Sequence, residues 1–501
     1  MRFIQYSLAA DVSPGHSKGS GSPSGKADRH PGRAGLFPIV VLACLLPLGF
    51  LAASGGETGT LSTIGAEPRR SDQVLNIGSR LEPMVDDYLI DKLTGVELRL
   101  HPPQPAPISE VIPIGYYATV IKDLDRYRFY YRGTVPGYTG KTHDGNAGEI
   151  TCYAESTNGI AWIKPALGLF EINGSRSNNA ILAGASPFSH NFTPFLDQRP
   201  GVAPEQRYKA LAGVHKSGLH AFISGDGIRW KKLQDEPVVR SKAFAFDSQN
   251  VAFWSELEQT YVCYFRSWET PHGQLRTISR TTSPDFVNWS PPAPMNPNEP
   301  AEHLYTSGTH PYFRAPHIYI GLPTRFMPDR GQSTDILFMT SRGGTNYDRV
   351  FREAFIRPGL DPSRWGNRAN YAAVNVVPTG PAEMSIYTLA GRYVLRTDGF
   401  ASVHAGHRSG EFLTRPLRFS GNRLTLNMAT SAAGSIRMEV QDEQGKPVDG
   451  FRLEEATSLV GDQIDRVVTW KAGDSMASLA GRVIRLRFLM QEADLFALQF
   501  R

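Results

Sequence analysis

The 501-residue chain is too long for one small core, and 10% aromatic residues with 48 glycines and 36 prolines suit short strands and tight turns better than long helices. Its formal charge of +5 is mostly concentrated near the start, where residues 1–53 carry Arg2, Lys18, Lys26, Arg29 and Arg33 against Asp11 and Asp28. The rest holds 48 basic and 46 acidic residues, a balance without a nucleic-acid footprint.

Leu36–Ala53 is an apolar run interrupted by Pro38, Pro47 and Gly49, preceded by Arg29 and Arg33 and closed by Ala52-Ala53-Ser54. Basic, apolar and small residues in that order predict a cleaved signal peptide over 1–53 and a secreted or periplasmic protein with no stable membrane span afterwards. A retained anchor and a lipoprotein box at Val41-Leu-Ala-Cys44 are the alternatives; the two prolines and the apolar residues beyond Cys44 argue against them. Residues 54–74, rich in Gly, Ser and Thr, read as a linker.

Beyond residue 74 no window sustains a helical period, whereas strand-like runs bounded by Gly, Pro, Asn and Asp recur. Four segments align on their aromatic ends: Glu155–Trp162, Ile223–Trp230, Thr282–Trp289 and Thr340–Tyr347. In each, a strand ends at Ser, a tight turn reverses the chain, and an aromatic follows that can pack back on the sheet. A degenerate fifth unit spans Ala382–Tyr387 and Arg392–Arg396. Repeats of about 60 residues, each roughly four strands, predict a five-bladed β-propeller over 75–398, with the strand around Met84–Ile90 completing the last blade. From Gly399 a period-two alternation, as in Arg423–Asn427, Ser435–Val440 and Val483–Phe488, predicts a β-sandwich over 399–501. Cys152 and Cys263 each sit inside a strand-like run, which favours two buried thiols over one disulfide.

In a propeller the innermost strands line one funnel, so their openings gather distant side chains. The predicted openings are Gly115-Tyr-Tyr, His190–Asp197, Phe246–Asn250, Glu302–Tyr305 and Glu383-Met-Ser. Glycoside cleavage requires two carboxyl groups across a sugar, and Asp247, Glu383 and Glu302 are the candidates. His190, Asn191, Asn250, His303, Tyr305 and Arg325 are the candidate hydroxyl-binding groups. Arg132, Arg266 and Arg325 follow apolar runs in equivalent places, where ion pairing with blade carboxylates is the favoured expectation. Of Asp86 and Asp87, strand alternation lets only one face a pocket. Beyond residue 53 no metal-ligand spacing, Gly-x-Ser-x-Gly elbow, Walker loop or His-Glu-x-x-His occurs, and no cofactor is expected.

Glu82–Asp91, His190–Asp197, Phe246–Asn250, Glu302–Tyr305, Phe355–Gly359 and Leu395–Phe400 together make the chain resemble a group of exported planctomycete-type proteins usually labelled glycosyl hydrolases. More remotely it is similar to the five-bladed propeller glycosidases of families 32 and 43. That resemblance implies three pocket carboxylates and, as in family 32, a C-terminal sandwich. The sequence departs from them in having no Trp-Met-Asn-Asp-Pro-Asn start, no Arg-Asp-Pro and no Glu-Cys signature. The expectation is therefore an extracytoplasmic glycosidase acting on a poly- or oligosaccharide, with a non-catalytic carbohydrate-binding propeller as the alternative.

Overall fold

The computed structural model describes residues 73–109 and 116–501; the expected leader, nearly all of the linker, Cys44 and Gly115 lie outside them. The described chain is all-β, its only helical pieces being single 3-10 turns.

Five of the six small antiparallel sheets follow one another along the chain. The first comprises Thr119–Asp123, Arg126–Thr134, Glu149–Ser156 and Ala180–Leu182. The second comprises Thr193–Leu196, Tyr208–Ala212, His220–Ser224 and Lys231–Lys232. The third comprises Val251–Ser255, Thr260–Thr270, Gly273–Ser283 and Ala293–Pro294. The fourth has three strands, His310–Tyr312, Ala315–Gly321 and Met339–Ser341. The fifth joins Val377–Pro378, Glu383–Thr388 and Gly391–Arg396 to an early strand, Gln104–Ala106.

The three best-matched turns repeat the same bonding because their sequences supply the same acceptors. Ser156 Oγ accepts from Gly159 N at 2.9 Å and Asn158 Oδ1 from Ile160 N at 2.8 Å. Ser224 Oγ accepts from Gly227 N at 2.9 Å, and Asp226 Oδ1 from Ile228 N at 2.8 Å. In the third copy the equivalent bonds run from Phe286 N to Ser283 Oγ and from Val287 N to Asp285 Oδ1, both 2.9 Å. Such side-chain acceptors replace backbone partners in tight turns. The left-handed position is Gly159 in the first copy (φ 73°) and Gly227 in the second (φ 72°), where no Cβ stands in the way.

Each turn presses on the sheet that precedes it. Trp230 packs on Phe192 of its own unit (5.0 Å between ring centres) and reaches Tyr130 of the first sheet (6.5 Å). Phe286 meets Phe195 of the second sheet at 5.5 Å, and Tyr347 meets Tyr264 of the third at 5.8 Å. Trp162 of the first unit meets Tyr387 of the fifth sheet at 5.7 Å, so first and last sheets are neighbours. A cavity of about 350 Å³ is bordered by the first strands of all five sheets through Val120, Phe195, Phe253, Pro311 and Val377.

Three expectations change. The segment Met84–Ile90 does not complete the fifth sheet; Gln104–Ala106 does, with Ala106 opposite Arg392. Residues 75–100 instead pair with C-terminal strands: Leu75–Gly78 lies parallel to Leu417–Phe419, and Glu97–Leu100 antiparallel to Ala401–Ala405. The ten-stranded sheet so formed is held mainly by the long pair Leu424–Asp442 and Val483–Phe500, around a core including Ile77, Leu426, Met438, Trp470 and Phe488. Finally, Glu302–Tyr305 does not open the fourth sheet. His303–Leu304 pairs with Thr324–Met327 in a separate three-stranded sheet, because the run Ala315–Met327 is interrupted at Leu322-Pro323.

Cys152 and Cys263 are both free and buried, as the strand context predicts; burial pushes the Cys152 thiol up to about 11.

Candidate functional site

The segment Phe246-Asp-Ser-Gln-Asn250, which leads into the first strand of the third sheet, is bonded to three other sheets. Asn191 Nδ2 donates to the carbonyls of Phe246 (2.7 Å) and Ser248 (2.9 Å), on either side of Asp247. Gln249 Nε2 donates to Ala118 O at 3.0 Å, beside the first sheet, and Ser248 Oγ to Tyr305 O at 2.8 Å. Every side chain of the segment is buried except that of Asp247. Phe246 holds φ 70°, a conformation that costs a bulky residue about 1–3 kcal/mol and persists only where the surroundings enforce it.

Asp247 is gripped by the buried Arg266 guanidinium, Nε donating to Oδ1 at 2.7 Å with a second contact on the other oxygen. Burial works against the charge of Arg266, but the Asp247 carboxylate outweighs it and holds the guanidinium above its ordinary value. Arg266 also lies over the Tyr305 ring, 4.5 Å from its centre.

Around Asp247 stand aromatic rings and further guanidiniums. Tyr117, Tyr305 and Tyr371 meet edge to face, with Tyr371 5.9 Å from Tyr117 and 5.6 Å from Tyr305. His190 lies 5.6 Å from Tyr117, and its Nδ1 is 2.9 Å from Glu149 Oε1 and 2.8 Å from the Arg132 guanidinium. Arg276 lies over Trp268 (4.4 Å), Tyr305 (5.0 Å) and Phe326 (5.0 Å). Trp268 and Arg276 come from the Thr260–Thr270 and Gly273–Ser283 hairpin. Those strands have 11 residues each against five in Val251–Ser255; since Val251 faces Tyr264, the excess overhangs the Asp247 end.

The predicted residues therefore separate. Asp247, His190, His303 and Tyr305 come together at this mouth; His303 packs 5.9 Å from Phe326 and accepts from Arg276 N at 3.1 Å. Glu302 is buried and clamped by Arg349, whose Nη1 is 2.6 Å from Oε2, with Arg325 3.9 Å away. Arg325 is occupied by Asp335, Nε donating to Oδ1 at 2.9 Å. Asn191 and Asn250 are braces rather than exposed sugar-binding groups: both are buried, and Asn250 Nδ2 donates to Ser248 O at 3.1 Å. Arg132, Arg266 and Arg325 are ion-paired, as favoured from sequence. Asp86 pairs with Arg342 at 2.7 Å, away from this mouth.

Glu383 does not join the group. Thr388, at the far end of its strand, bridges to Ala372, and Leu389 N donates to Tyr371 O, so the Thr388 end faces the mouth. Five residues of antiparallel strand separate Glu383 from that end by about 17 Å. Its carboxylate is bound instead by Arg392 and by Thr379 Oγ1 at 2.8 Å.

Glu149, Trp268, Arg276, Arg368 and Tyr371 were not singled out from the sequence. The one available signal was the unusual length of the third sheet's hairpin, which marks a projection beyond the sheet. Among the described residues no cluster of three or more His, Cys, Asp or Glu side chains could hold a metal ion, and no helix is long and apolar enough to cross a membrane.

No protein-family model matches the sequence, and no curated protein matches it. Among solved structures the chain is similar to a family 43 arabinoxylan arabinofuranohydrolase from Bacillus subtilis in complex with cellotetraose: 14% identity over 77% of this chain and 95% of that one, TM-score 0.38. It is similar also to an N-acetylgalactosamine deacetylase from F. plautii (14% identity, 79% and 95% covered, TM-score 0.37). A third is an α-L-arabinofuranosidase from Clostridium thermocellum (11% identity, 70% and 94% covered, TM-score 0.35). At these identities and TM-scores the likenesses assign neither a family nor an activity to this chain.

Proposed function

We propose that this chain is an extracytoplasmic glycoside hydrolase built as a five-bladed β-propeller, with the ten-stranded sheet folded over its core as a sandwich, and that it cleaves a poly- or oligosaccharide at the mouth around Asp247. The observation that carries the reading is the Phe246–Asn250 segment. It is tied to three neighbouring sheets, strained at Phe246, and presents a single carboxylate beside aromatic rings. The packing of each turn on the preceding sheet, with Trp162 on the last, supports the propeller arrangement.

In this reading the partly exposed Trp268 receives a sugar face, and the buried tyrosines form the wall behind it. Asp247, ion-paired with Arg266, serves as nucleophile toward the anomeric carbon or as base toward a water. His190, braced by Glu149, supplies the proton taken up by the leaving oxygen. Asn191 sets the spacing between the two groups by joining the residue after His190 to the carbonyls flanking Asp247. Glu302 shapes the wall through Arg349, and Glu383 has no part.

A second reading, carbohydrate binding without cleavage, is favoured by one observation: Asp247, Glu149 and Glu302 each lie against a guanidinium. Incubating the full chain with a polysaccharide panel and following new reducing ends separates the two. Release by the wild type, lost in Asp247→Asn and His190→Gln, supports cleavage; binding without release supports the module.

A further inference from the structure

We propose, resting on the saccharide reading above, that the sugar recognised at this mouth carries an oxyanion, as a uronic acid or a sulfate ester does. The four guanidiniums at the mouth are not balanced by the carboxylates around them. Arg266 is occupied by Asp247, and Arg132 by Glu149 at 3.6 Å and His190. Arg276 and Arg368 pair with no carboxylate among the described residues.

Arg276 is only partly exposed, flattened against Trp268 and Tyr305, and its Nε is buried without a hydrogen-bond partner. A buried donor left unmatched is costly and is ordinarily met by something. Arg368 is exposed and reaches the hydroxyl of the same Tyr305. The phenol registers the resulting field: burial pushes its pKa up, yet Arg266, Arg368 and Arg276 together bring it below its ordinary value. Burial and the neighbouring Arg266 likewise pull Arg276 down from its usual range. Two cations held at one rim suit a sugar whose carboxylate or sulfate accepts from planar guanidinium forks. A neutral sugar's hydroxyl oxygens accept from the same donors but leave the two cations facing one another without a counter-charge.

The test is calorimetric titration of the full chain with three probes: tetragalacturonate, a sulfated galactan tetrasaccharide and neutral xylotetraose. At least one charged probe is expected to bind about tenfold tighter than xylotetraose, and to weaken several-fold when salt rises from about 50 to about 300 mM. Which charged probe binds distinguishes carboxylate from sulfate. Arg276→Gln and Arg368→Gln should each erase about tenfold of the preference for the charged probe over xylotetraose; Arg368, being exposed, can be replaced without disturbing the fold. Equal or tighter binding of xylotetraose, or a charged preference that survives both variants, overturns the inference while the saccharide reading stands. Binding of none of the three overturns both.

Discussion

Asn191 Nδ2 donates to the carbonyl of Ser248 at 2.9 Å and, through the same nitrogen, to that of Phe246 at 2.7 Å, so one amide spans the residue whose carboxylate faces the mouth. Its Oδ1 accepts from Gly213 N at 3.0 Å, which anchors the bridge in the second sheet. The position of Asp247 is thereby set by a neighbouring sheet as much as by its own chain.

Replacing that amide should cost both stability and function. Asn191→Ala leaves Gly213 N and the carbonyls of Gly213, Phe246 and Ser248 without this partner, and about 2–3 kcal/mol of stability should be lost. Chemical denaturation measures the loss, and saccharide turnover should fall with it because Asp247 is no longer fixed. Unchanged stability would mean the bridge is not formed.

Asp247 itself offers a graded comparison. Asp247→Asn keeps an acceptor for Arg266 Nε and should fold while losing turnover. Asp247→Ala strands a buried guanidinium and should destabilise by about 3–5 kcal/mol. Denaturation midpoints for the two variants, read beside their activities, separate the chemical role of the carboxylate from its structural one.

Glu383→Gln should leave saccharide turnover within about twofold of the wild type, since the strand places it about 17 Å from the end that meets the mouth. Kinetics on the same substrate check this, and a complete loss would return Glu383 to the site.

Stability should rise with pH between about 4 and 6.5 through His310. This side chain borders the central cavity, accepts from Val376 N through Nε2 at 3.1 Å and donates through Nδ1 to Gly308 O at 3.0 Å. Burial pulls its folded value down to about 4, so below 6.5 the unfolded chain takes up a proton that the folded one refuses. The contribution is fully present above 6.5 and is lost as pH falls, by about 3 kcal/mol at pH 4. Denaturation of wild type and His310→Gln across that window should show the difference shrinking toward low pH; a constant difference would contradict it.

What was legible in the sequence was local. The Ser, Asp or Asn and Trp turns announce themselves because donor and acceptor lie within three residues, as Ser224 with Gly227 and Trp230 with Gly227 do. Long-range pairings were not: nothing near Leu75 reveals that its partner is Leu417. Glu383 reads as the opening of a first strand because Val377–Pro378, which precedes it in the sheet, is two residues long and contains a proline, and so leaves no strand signal in the sequence. Asn191 and Asn250 sat in the right place for the wrong reason, since a sequence shows that an amide is near a site but not that its donors are already spent on backbone carbonyls.

The most direct measurement is release of new reducing ends from a polysaccharide panel by the full chain and by Asp247→Asn at matched thermal stability. The account predicts release by the wild type and none by the variant. Equal release by both would contradict it.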